Sequence, residues 1–283
     1  MKVLDIHDLA NFDFLDPPNP ETMMRALETL NFLNAINDEG ELTSEGRWMA
    51  EFPLDVEMSK ILISSPKYVC SEEILTLVSV LSSHSPFVRT KEHAEAADKA
   101  KAQFIHQDGD FLTLLAVFNE YMREGQNIEW CNQNFLNPKS LKSAAEIREQ
   151  LSQKMARLGL PLISQKNNLS ENLRKCLACG FFMHVVHQER AGVYITLKEK
   201  QQVGIHPSST VGKPEWAIYH EFVITPNKYI RTVSPINAEW LLEIAPHYFE
   251  LSRFPESQGK KMLERLQKMM RKREKEDEEE EYD

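Results

Sequence analysis

At Gly180 the hydrophobic period of this 283-residue chain changes. From Asp55 to about Leu160, apolar residues recur every three to four positions. They do so in "DVEMSKILISS", "SEEILTLVSVLSS", "TKEHAEAADKAKAQFI", "GDFLTLLAVFNEYMRE" and "SLKSAAEIREQLSQKMARLG", the pattern of amphipathic helices. Short breaks at Pro86, Gly109 and Pro138 separate them. Beyond Gly180 the runs shorten and alternate, as "VYITL", "QVGIH", "EWAIYHEFVIT" and "KYIRTV", with a polar turn between the first two and Pro226-Asn227 between the last two. One layer of helices or one sheet cannot satisfy both periods. The chain is therefore expected to be mainly α, a helical bundle followed by a small closed β-barrel.

The ends differ from the middle. "DPPNPETMMRALETLNFLNAI" carries a helical stripe behind Asn19 as cap and Pro20 at the first helical position. "NDEGELT" is a tight turn between Ile36 and Leu42, and "SEGRWMAEF" is a second short helix stopped by Pro53. Two helices and a small wing in so short a span predict a winged-helix module. Its acidic character suits protein contact better than the reading of DNA. Within the bundle, Ser71 with Glu72 and Glu73 reads as one capped, acidic helix start, and Asp108 or Asp110 as another. "AEWLLEIA" supplies a helix after the barrel, and the charged "SQGKKMLERLQKMMRKREKEDEEEEYD" reads as a helix fading into disorder.

The formal net charge of −10 is unevenly spread. Residues 1–60 carry −9 and residues 274–283 carry −7, so the stretch between them carries +6. The acidic ends disfavour a polyanion, whereas the mildly basic middle leaves nucleic-acid binding open without by itself forming a patch. No apolar run approaches the roughly 20 residues of a membrane span, and the N-terminus lacks the apolar core of a signal peptide. Four cysteines are too few for a disulfide scaffold of this length. The chain reads as intracellular, without a membrane partner.

No catalytic constellation is present. The chain has no G-x-x-x-x-G-K-[ST], G-x-S-x-G, H-E-x-x-H or G-x-G-x-x-G. The run "HQDGD" reads as a loop entering a helix. Cys176, Cys179, His184 and His187 form C-x2-C-x4-H-x2-H, but four residues between the pairs cannot bring all four side chains to one ion. No metal, cofactor or catalytic residue is expected in this chain.

Three stretches, in unbroken order from about Leu4 to Phe254, resemble the part of DEAH-box RNA helicases that follows the motor. "FDFLDPPNPETMMRALETLNFLNAINDEGELTSEGRWMAEFPLD" resembles the family's winged-helix segment. "CSEEILTLVSVLS", "FVRT", "HQDGDFLTLLAVFNEY", "WCNQNFLN" and "IREQL" resemble its ratchet-like helical domain. "GFFMHVVH", "IHPSST", "PEWAIYHEFVIT", "KYIRTV" and "WLLEIAPHYF" resemble its OB-fold barrel. Thr90 stands where the family usually has Pro, and Pro138-Lys139-Ser140 where it has Tyr-Arg-Ser. The acidic tail is not a family feature. Within that family the chain resembles the branch working in spliceosome disassembly and ribosome maturation with G-patch activators.

The resemblance implies a division into 1–16 as the end of a motor domain and linker, 17–54 winged helix, 55–168 ratchet-like bundle, 169–254 OB-fold, and 255–283 charged helix and disordered acidic tail. It implies a non-catalytic, nuclear accessory region, nucleolar or cytoplasmic as well, that forms part of a channel for single-stranded RNA. The motor residues that bind ATP and magnesium belong to RecA-like domains that this sequence does not contain. Single-stranded RNA, those motor domains and a G-patch-type activator are the implied partners. The RNA-facing candidates are Arg89, Lys139, Lys142 and Arg148 on the ratchet-like part, with Lys213, Lys228 and Arg231 on the barrel. His106 and Tyr229 supply rings able to stack on bases. Trp216, Tyr219 and Phe222 are expected to pack as barrel wall. Two rival readings stand beside this one: a free-standing OB-fold adaptor for single strands, and a protein-interaction scaffold that does not touch RNA.

Overall fold

The computed structural model describes residues 1–4, 6 and 12–281. The first helix, α1 (Pro20–Phe32), begins where the capping signal sits, with the Asn19 side chain accepting from the Glu21 amide at 2.9 Å. Asn34, at φ +57°, reverses the chain, and Ile36 and Leu42 pair across the small wing. The Thr43 hydroxyl then caps α2 (Ser44–Ala50) by accepting from the Gly46 amide. A Cβ at Gly46 would stand 1.9 Å from the Ala35 carbonyl oxygen, so α2 lies on the wing only because that position is bare.

The bundle follows as α3 (Val56–Ser64), α4 (Ser71–Leu81), α5 (Ala94–Ala102), α6 (Asp110–Arg123), α7 (Ile128–Gln133) and α8 (Pro138–Arg157). Ser71 is not the cap expected of it. It is the first residue of α4, and its hydroxyl donates to the Pro161 carbonyl and accepts from the Ile163 amide, both at 2.7 Å. A long-range contact thus takes the side chain that local sequence assigns to the helix end.

After α9 (Leu169–Phe181) come β1 (Val185–Arg190), β2 (Val193–Thr196), β3 (Gln202–Ile205), β4 (Trp216–Ile224) and β5 (Lys228–Pro235). They close a barrel in the order β1-β2-β3-β5-β4, with β3 and β5 parallel and the other pairs antiparallel. α10 (Ala238–Ile244) and α11 (Gln258–Glu281) end the chain. α11 runs as helix through Glu281, where the acidic run was expected to be disordered, and Lys272 supports it by pairing with Glu276 at 3.2 Å. Among the described residues no helix is long and apolar enough to cross a membrane.

One continuous core runs from Leu33 beside the wing through the bundle to Trp240, Phe249 and Leu263. α9 joins its halves by crossing α3 closely: a Cβ at Gly180 would stand 2.3 Å from the Glu57 carbonyl oxygen. The barrel interior is a second, smaller cluster built on Val186, Tyr194, Val203, Ala217, Tyr219, Ile230 and Val233. β4 serves both. Ala217 and Tyr219 face into the barrel, whereas Trp216, 4% exposed, and Ile218 face outward into the large core. Phe222 returns to the barrel side, three residues after Tyr219, and Ile230 likewise lies three residues from Val233. Thr232 at φ +55°, opposite His220, breaks the pleat there and flips both strands. Trp216, Tyr219 and Phe222 therefore do not form one wall.

Candidate nucleic-acid interface

The run from His106 to Asp110 ties the barrel to the bundle. Gly109 adopts φ +110°, and a Cβ there would stand 2.3 Å from Ser234 Oγ and 2.6 Å from the Val233 carbonyl oxygen. Asp110, at the first position of α6, turns its carboxylate toward the barrel instead of capping its own helix. It accepts from the Thr210 amide at 3.0 Å, Thr210 Oγ1 at 3.2 Å, the Val233 amide at 3.0 Å and Ser209 Oγ. The Asp108 carbonyl accepts from Ser234 Oγ at 2.9 Å, and its carboxylate lies 3.7 Å from Arg174 Nη2 on α9. From α5, Lys101 Nζ donates to the Ser208 carbonyl at 2.6 Å and sits 4.4 Å from the Phe87 ring centre. Burial pulls the Lys101 pKa down, while Asp110 and Asp98 oppose that shift.

These ties hold the loop "HPSST", residues 206–210, against the bundle, and a cleft of about 710 Å³ opens at the junction. Its charged lining consists of Arg89, Lys101 and Arg231 against Asp98, Asp110 and Glu221, a balanced set. Arg89 Nε donates to Asp98 Oδ1 at 2.8 Å and Nη2 to Oδ2 at 3.0 Å, which holds the Asp98 carboxyl below its usual range. Arg231 stands directly opposite Glu221 in the β4–β5 ladder and donates to it. His220, with Nδ1 at 3.6 Å, and Arg231 together push the Glu221 pKa down to about 2. Both guanidiniums are therefore oriented, each by one carboxylate.

Of the residues singled out from sequence, the structure brings Arg89 and Arg231 to this cleft. Tyr229 borders it through His206, a cleft residue whose ring meets the tyrosine edge-on at 5.5 Å. His106 lies in the tying loop, its Nδ1 accepting from the Asp108 amide at 3.2 Å. Lys139 is exposed at the start of α8, and Lys142 is exposed one turn on, 3.9 Å from Glu146. Arg148 faces α4, where Nη2 meets Glu72 at 2.6 Å and Nε donates to Thr76 Oγ1 at 2.9 Å. That arginine joins two helices. Lys213 is exposed ahead of β4, while Lys228 is exposed beyond its far end, donating to Gln201. A strand of nine residues separates those two lysines, about 30 Å of chain.

Sequence reading missed Lys101, His206 and Asp110. The "HQDGD" run did enter a helix as expected, and its two acids flanking a glycine were the available signal. Their partners lie about a hundred residues away and leave no local trace.

The cysteine–histidine set stays apart. Cys176 Sγ donates to the Ile61 carbonyl at 3.4 Å, and Cys179 Sγ lies 3.3 Å from Tyr68 Oη. Burial pushes both thiol pKa values up. His184 stacks between Phe181 and Tyr219, and His187 lies against Trp216 with ring centres 4.6 Å apart. Among the described residues no group of three or more His, Cys, Asp or Glu gathers to hold a metal ion.

Family models match the chain in three stretches that follow the same order as the elements above. Residues 26–54 match the winged-helix helicase associated domain (HA2), and residues 55–114 the ratchet-like HA2 domain. Residues 173–248 match an oligonucleotide/oligosaccharide-binding (OB) fold. Together these stretches cover more than half of the chain, and none of them is a motor domain. The chain therefore carries the winged-helix and ratchet-like helicase-associated domains and the OB-fold, the set of domains of the C-terminal region of DEAH-box-type helicases.

Proposed function

We propose that this chain is the non-catalytic accessory region of a DEAH-box, ATP-dependent RNA helicase and that its ratchet–barrel cleft lies along the path of single-stranded RNA. The observation that carries this reading is the cleft itself. Two oriented guanidiniums, Arg89 and Arg231, and the Lys101 ammonium line it from both domains. An arginine fork fits phosphate oxygens in the geometry in which it now holds carboxylates. The chain has no phosphate-binding glycine loop, so ATP and magnesium belong to the RecA-like motor domains with which it would work.

The acidic winged helix exposes Met24 (62%) and Trp48 (41%), a combination suited to a protein partner, and we assign the docking of a G-patch-type activator to it. Spliceosome disassembly and ribosome maturation, in the nucleus, are the settings that go with this assignment. Titration of labelled single-stranded RNA into the purified chain tests the cleft. Arg89→Ala and Arg231→Ala each weaken binding and flatten its salt dependence by up to about 0.7 in log–log slope, the value of one single-strand phosphate contact. Unchanged affinity in both variants overturns the cleft reading and leaves a protein-interaction scaffold.

A further inference from the structure

A cleft that takes a polyanion carries as many carboxylates as cations at its charged lining, and two of those carboxylates sit directly on the arginines. Asp98 occupies both prongs of the Arg89 fork. Glu221 lies across the ladder from Arg231. The positions are equivalent in effect although they come from different domains, α5 of the bundle and β4 of the barrel. Each carboxylate stands where a phosphate oxygen would be held.

We propose that Asp98 and Glu221 are built-in competitors of the nucleic-acid backbone, which keep the two arginines aligned when the cleft is empty and limit its grip when it is filled. The inference rests on the cleft reading given above. Both pairs are open to solvent, with side chains 58% and 57% exposed for Arg89–Asp98 and 42% and 39% for Arg231–Glu221. Exposed pairs of this kind hold weakly and open readily, so phosphate displaces the carboxylate from the guanidinium without breaking the fold. The displaced carboxylate then remains beside the phosphate and repels it. A strand that slides along a cleft must be released at every phosphate it passes, and a grip reduced in this way releases each phosphate easily.

Lys101 differs from the two arginines. Its ammonium donates to the Ser208 carbonyl and lies over the Phe87 ring, so it holds the loop. Asp110 differs from Asp98 and Glu221, because its oxygens accept from neutral donors of the barrel. The competitor role therefore falls on two residues only.

The test compares Asp98→Asn, Glu221→Gln and the double variant with the unaltered chain and with Arg89→Ala and Arg231→Ala. Anisotropy of a labelled oligouridylate is read from about 50 to about 300 mM salt, and a thermal melt of each variant confirms folding. Each carboxamide variant is expected to bind several-fold tighter at the lowest salt. Its log–log salt slope is expected to steepen by up to about 0.7 as one more phosphate is fully engaged, and the double variant is expected to exceed both. Binding seen only in the carboxamide variants also supports the proposal. Weaker or unchanged binding in folded carboxamide variants, while the arginine variants lose affinity, overturns the competitor role and leaves the cleft in place. Arginine variants that bind like the unaltered chain, or no binding by any protein in the set, overturn the cleft reading instead.

Discussion

Removing the Asp110 carboxylate leaves the Thr210 and Val233 amides and two hydroxyls without their acceptor at the junction of barrel and bundle. A buried donor left unpaired costs about 1–3 kcal/mol. Asp110→Ala is therefore expected to lose about 3–5 kcal/mol in denaturant unfolding, and Asp110→Asn less, since its amide oxygen still accepts. A loss below about 1 kcal/mol would mean the loop holds without this residue. Trp216 and Lys213 make a second contrast. Trp216 fills the large core from outside the barrel, so Trp216→Ala should cost about 3–5 kcal/mol. Lys213 is exposed, and Lys213→Ala should stay within about 0.5 kcal/mol. Thermal melts of the two variants decide both.

At the scale of elements, α9 and β4 meet around His184. Burial first, and His220 second, lower the His184 pKa to about 4. A histidine held neutral in the fold binds its proton less readily than it does in the unfolded chain. Its stabilising share is therefore complete above about pH 6.5 and is lost as pH falls toward about 4. Relative to His184→Phe, which keeps a ring between Phe181 and Tyr219, the unaltered chain should lose about 3 kcal/mol between pH 7 and pH 4. Parallel pH profiles of the two proteins would show no divergence if the ring were already solvated. The tie between elements at Gly109 behaves differently. Its φ of +110° and the nearby Ser234 and Val233 atoms make Gly109→Ala destabilising by at least about 2 kcal/mol at any pH.

For the whole molecule, the family boundaries do not coincide with physical ones. Residues matched to the winged helix, the ratchet and the OB-fold all contribute to one core, joined where α9 crosses α3. Thermal unfolding should therefore follow a single cooperative transition. Two well-separated transitions, with the barrel melting alone, would contradict that. The distal part of α11 lies outside this economy: Leu263 is fully buried, whereas residues 271–273 are exposed. Removing residues 274–283 should leave the melting temperature within about 1 °C and strengthen RNA binding at low salt, since a balance of −7 is lost.

What the sequence by itself determined are the features with local causes. The Asn19-Pro20 helix start, the Ile36–Leu42 wing, the change of period at Gly180 and the run of strands follow from caps, turns and periodicity within a few residues. The domain order was legible for the same reason. Only the tertiary structure decided which candidate cations share a site, because Arg89 and Arg231 meet through barrel closure and the Asp110 contacts, which bridge 99 to 123 positions of chain. It also decided that Ser71 leaves its helix cap and Arg148 turns to α4, since the competing partners lie 72 to 90 positions away in sequence. Strict alternation sets Trp216 and Tyr219 on opposite faces of β4, so the single wall expected of Trp216, Tyr219 and Phe222 does not form, and the alternation itself breaks beyond Tyr219. There the left-handed Thr232 of the neighbouring strand turns both strands over, and nothing in the β4 sequence records what its neighbour does.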